Sequence, residues 1–78
     1  MSYWTEELAA AEAEAERFEA SEAQAEQMFY LVRAEAEAAG EAERALQSQE
    51  FERWMHARRA TDLAWGSWSL LKDAKPRN

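Results

Sequence analysis

Five large apolar residues in a row, Met28-Phe29-Tyr30-Leu31-Val32, interrupt a stretch otherwise built from alanine, glutamate and glutamine. In an α-helix successive side chains project about 100° apart, so such a run girdles the whole circumference. One neighbouring helix covers only one side of that girdle. The remainder calls for a further helix, a second copy of the chain, or another protein. The chain has 78 residues, one domain at the small end of what folds alone, and it has no cysteine with which to staple itself.

Around the girdle the residues read as all-α. Alanine and glutamate are the commonest types, and two glycines and one proline are the only strong helix breakers. From Trp4 a 4,3 spacing runs through Leu8, Ala11, Ala15, Phe18, Glu22, Ala25, Phe29, Val32, Ala36 and Ala39. This heptad seam of about five repeats predicts a helix over residues 4–39, roughly 50 Å long. Thr5 with Glu6 and Glu7 behind it is placed to start that helix. Gly40 suits the left-handed position that closes a helix, and helix formers resume immediately after it. Either the chain reverses there or one helix runs through, since a mid-helix glycine costs only about 1 kcal/mol. The reversal is the reading adopted: a long antiparallel hairpin whose second helix spans about 41–65. Gly66-Ser67 then interrupts it, a short helical turn follows at about 67–73, and residues 75–78 form a frayed tail. Two such hairpins are expected to dimerise into a four-helix bundle.

Folding about Gly40 pairs positions whose numbers sum to roughly 80. Phe51, Trp54 and Met55 then face the girdle, Leu63 and Trp65 approach Phe18 and Ala15, and Leu70 and Leu71 approach Leu8 and Ala11. Arg58 and Arg59 fall opposite Glu22, the acidic residue on the seam, where a carboxylate needs a cation if it is buried. Trp4 and Trp68 are positioned to stack at the open end.

The formal net charge of −7 is unevenly spread. Residues 1–52 hold fourteen glutamates against three arginines, a net −11; residues 53–78 hold four arginines and two lysines against Asp62 and Asp73, a net +4. Opposite halves attract when a chain folds on itself or when two copies dock. Glu12, Glu16, Glu19 and Glu26 lie on one helical stripe, spaced rather like phosphates along a nucleic-acid strand. That stripe is either a solvated face or a docking surface for a basic groove on a protein. Phosphate binding requires a basic footprint, so nucleic acid itself is not an expected ligand. Four tryptophans in so short a chain are a surplus typical of interfaces. The residues assigned to a dimer or partner interface are Met28, Tyr30, Leu31, Trp54, Trp65 and Trp68.

Catalytic chemistry finds no foothold in the pattern. The serines lack a histidine at any recognisable spacing, and neither glycine sits in a phosphate-cradling loop. His56 stands one turn after Glu52, but two ligands do not make a metal site. No catalytic residue, cofactor or metal is therefore assigned. The N-terminal residues lack the basic and apolar regions of a signal peptide, and no run approaches the roughly 18 apolar residues of a membrane span, so a cytoplasmic location without membrane contact is expected. Short, acidic, helical, aromatic-rich and cysteine-free, the chain resembles in general character the small phage proteins that block nucleic-acid machinery, anti-CRISPR proteins and DNA mimics among them. No motif specifies a family. The functional expectation is a non-catalytic acidic inhibitor or adaptor that binds a protein partner, acting as a homodimer. The alternative is a structural protein whose helices assemble into a homo-oligomeric bundle.

Overall fold

The computed structural model describes residues 3–76. Helix α1 spans Tyr3–Ala38, a 3₁₀ helix spans Ala42–Gln47, and helix α2 spans Gln49–Asp73. The long helices lie side by side in a rod of 62 × 14 × 13 Å. None of the helices is long and apolar enough to cross a membrane.

The reversal depends on two devices of local chemistry. Gly40 adopts φ 73°, and its N–H donates to the Glu37 carbonyl at 3.0 Å while that of Glu41 donates to Ala36 at 2.8 Å. This pair of bonds is a Schellman closure, and it satisfies two carbonyls that the end of α1 would otherwise leave bare. The continuous helix is thereby ruled out. The second device is Ser48, at the start of α2. Its Oγ accepts from the Phe51 N–H at 3.1 Å and donates to the Ala45 carbonyl at 2.6 Å. A serine hydroxyl competes with the backbone for hydrogen bonds, so it favours a helix boundary over a helix interior. The expected helix over 41–65 is accordingly split into a 3₁₀ segment and the start of α2.

Gly66-Ser67 does not interrupt α2, which continues to Asp73. A single glycine costs less than the packing that holds the turns on either side of it. Thr5 lies inside α1 rather than at its boundary. Lys75 and Pro76 are non-helical, as expected of the tail; Arg77 and Asn78 lie outside the described residues.

Three contacts set the register. The Trp4 Nε1–H donates to the Leu71 carbonyl at 2.6 Å, Trp65 donates to Glu19 Oε2 at 2.8 Å, and the Phe29 ring lies 5.3 Å from Phe51 and 5.1 Å from Trp54. The paired numbers bracket a sum of 80. The core is thin: among the described residues the buried apolar ones are Ala15, Phe29 and Ala45, and no large side chain is fully buried. Thr61, also buried, donates its hydroxyl to the Ala57 carbonyl one turn back.

The two glycines give opposite predictions. Nothing lies within 4 Å of a Cβ built on either one, so only backbone conformation matters. Gly66→Ala should raise stability by about 0.5–1 kcal/mol, and Gly40→Ala should lower it by about 1–2 kcal/mol because of its positive φ. Thermal unfolding followed by circular dichroism checks both, with midpoints expected to move in opposite directions.

Candidate interaction surface

The girdle is divided by its orientation toward α2. Phe29 is buried against Phe51 and Trp54, with Trp54 stacked nearly parallel at an interplanar angle of 28°. Val32 is half-buried beside it. Tyr30 leans on Phe29 and Trp54, with ring centroids 5.9 and 5.8 Å away, yet stays 47% exposed. Met28 and Leu31 are open to solvent at 56% and 62%. Beside this cluster a cleft of about 400 Å³ is floored by Phe29, Ala45, Leu46, Phe51 and Trp54, with Arg33, Glu37 and Glu43 among its other lining residues.

The acidic stripe is not uniform. Glu12 and Glu16 are exposed, whereas Glu19 accepts the Trp65 indole hydrogen bond and Glu26 is half-buried at the edge of the seam. Among the described residues the ion pairs are Arg33–Glu37, at 2.9 Å, and Arg44–Glu41, both local and largely exposed. Such surface pairs contribute little to stability. Glu22 makes no ion pair with Arg58 or Arg59. It is only half-buried, so its carboxylate keeps enough water to need no counterion.

At the open end the tryptophans pair differently from expectation. Trp68 meets Trp65 edge-on with centroids 5.4 Å apart, and Lys72 Nζ lies 4.9 Å above the Trp68 ring. Trp4 instead reaches the α2 backbone and lies 5.9 Å beneath Lys75 Nζ. The expected Trp4–Trp68 stack is therefore replaced by two cation–π contacts and one indole hydrogen bond. The Nε1 atoms of Trp54 and Trp68 are buried without a hydrogen-bond partner. The three interface tryptophans of α2 are all half-buried within the hairpin rather than projecting from it.

Three leucines and one phenylalanine carry open apolar surface beyond the girdle. Leu63 and Leu70 are 70% and 74% exposed, Leu46 is 58% exposed, and Phe18 is 36% exposed. Leu63 and Leu70 were expected on the seam. The seam of α2 is instead the heptad Trp54, Thr61, Trp68, offset by three from Ala57, Ala64, Leu71, all buried or half-buried. That seven-residue spacing is visible in the sequence and would have put both leucines outside it. Phe18, Leu63, Ala11, Glu14, Ala60, Ala64 and Ser67 line a shallow groove along one side of the hairpin.

Among the described residues no three His, Cys, Asp or Glu side chains gather closely enough to hold a metal ion. His56 and Glu52 share a shallow exposed depression with Gln49 and Arg53. Comparison with family models, curated proteins and solved structures finds no match for the chain.

Two girdle residues make a sharp contrast. Phe29→Ala should cost about 3–5 kcal/mol, much of the stability available to a domain of this size. Leu31→Ala should stay within about 0.5 kcal/mol in the lone hairpin. Urea titrations of both variants check this.

Proposed function

We propose that the chain is a non-catalytic protein-binding module that presents an acidic helix to a partner with a basic surface. The observation that carries this reading is the imbalance between core and surface. Among the described residues the hairpin buries only the apolar Ala15, Phe29 and Ala45, while Met28, Tyr30, Leu31, Leu46, Leu63 and Leu70 stay about half exposed or more. Large apolar residues left together on the surface of a small protein mark an association site. Glu12 and Glu16 are exposed on α1 and form no ion pair among the described residues, so they supply a negative potential that steers a basic partner and sets its register. Glu19 and Glu26 contribute to that potential from the edge of the seam. The resemblance to small phage inhibitors favours a target in nucleic-acid-handling machinery, with the acidic stripe taking the place of a phosphate backbone.

A second reading, a structural protein that assembles with itself, is favoured by a specific observation. Leu31 on α1 and Leu63 on α2 are both open, so each helix offers an apolar face of its own. Two such faces allow repeated association instead of a closed complex. Sedimentation separates the two: a ladder of oligomers supports assembly, and a single discrete species supports the binding module.

The charge-reversed pair Glu12→Lys and Glu16→Lys tests the first reading, since neither residue supports the fold. Helicity should be unchanged, and capture of the partner from extracts of the source organism at low salt should fall at least tenfold. Undiminished capture of the same partner would refute the electrostatic docking.

A further inference from the structure

We infer that the groove side of the hairpin, marked by Phe18 and Leu63, is the seat of a second copy of the chain, and that the two copies pack with their closed ends together. This rests on the reading of the chain as an interaction protein and commits one of its two faces to self-association.

Three observations carry the inference. The first is area. The chain exposes 6305 Å² at 9.0 kDa, whereas a compact monomer of that mass exposes roughly 4,850 Å². The excess, roughly 1,450 Å², is more than the ~800 Å² that each partner loses in an interface of standard size. The second is shape. Ala11 of α1 and Ala60 and Ala64 of α2, all half-buried, form the low ground of the groove. Phe18 and Leu63 stand out of this shallow alanine-lined strip, and Leu70 continues the Leu63 row one heptad on. Small residues flanking protruding ones make a self-complementary surface, because knobs of one copy find the low ground of the other.

The third observation is charge, and it selects the orientation. Helix α1 carries ten glutamates and two arginines. From Arg53 to Lys72, α2 carries four cations and the single acid Asp62, and among the described residues none of those cations makes an ion pair. Two hairpins can meet on this face about either of two symmetry axes. A two-fold axis perpendicular to the helices sets α1 against α1 and brings two acidic helices together. A two-fold axis parallel to them sets α1 of each copy against α2 of the other, so that acidic and cationic helices alternate around the bundle. The second arrangement sets the cation-rich helix of each copy beside the acidic helix of the other, and it puts both Gly40 turns at the same end.

The absence of cysteine makes the test clean, because a single introduced thiol labels one site. Glu43→Cys, in the exposed 3₁₀ segment, carries a nitroxide at the closed end. Pulsed dipolar spectroscopy of the dimer should give a label separation below about 30 Å, the width of a four-helix bundle with its labels. A separation approaching the 62 Å length of the rod would overturn the orientation. Leu63→Glu should shift the protein to monomer in sedimentation equilibrium at tens of micromolar while its helicity persists, and Leu31→Glu should leave the dimer intact. A folded wild-type monomer at that concentration would overturn the inference outright. A dimer that survives Leu63→Glu but not Leu31→Glu would overturn the choice of face. Loss of the dimer leaves the acidic docking surface to be judged separately by the Glu12 and Glu16 variant.

Discussion

The packing of Phe29 between Phe51 and Trp54 is the contact on which the rest of the hairpin depends. It is the one place where a large apolar side chain from α1 is buried, and it lies close to the turn. Fixing it fixes the register of everything beyond. Trp65 then reaches Glu19, 46 positions away in sequence, and Trp4 meets the backbone at Leu71, 67 positions away. With so thin a core, the directional contacts at the open end act as a clasp on a hinge closed by Gly40 and Ser48.

A long hairpin of only two helices has a geometric shortfall. Each helix can hide about one stripe of its surface against the other, and the remaining stripes stay wet. Alanine along much of α1 reduces the burden, since it leaves little apolar area to cover. The girdle and the leucines of α2 restore it at chosen places. Open apolar surface is therefore a consequence of the architecture as much as of any particular residue, and it is concentrated where large side chains sit off the seam.

Legibility in the sequence followed the kind of interaction. The span of α1 and the reversal at Gly40 were readable because periodicity and glycine conformation are local properties. The start of α2 was not read, although Ser48 followed by an apolar residue and acidic neighbours is an N-cap signal in its own right. Gly66 does not break α2, because a propensity of about 1 kcal/mol is small beside the packing of the tryptophans on either side. Leu63 and Leu70 were misplaced because they were paired by summing numbers, whereas the heptad through Trp54, Thr61 and Trp68 governs which face of α2 turns inward. Glu19 was read as part of a free stripe, and its hydrogen bond to Trp65 depends on a neighbour that only the folded hairpin supplies.

Composition and spacing by themselves determined an all-α chain, its reversal point, an acidic first helix, and a surplus of apolar residues that two helices cannot hide. These follow from backbone preference and from counting side chains against available faces. Tertiary structure decided which girdle residues are buried, which tryptophan meets which partner, and that the open apolar surface lies along Phe18, Leu63 and Leu70 as well as at Leu31. The physical reason is that burial is a property of relative rotation. A change of one position in the facing helix turns a side chain by about 100°, enough to move it from seam to solvent.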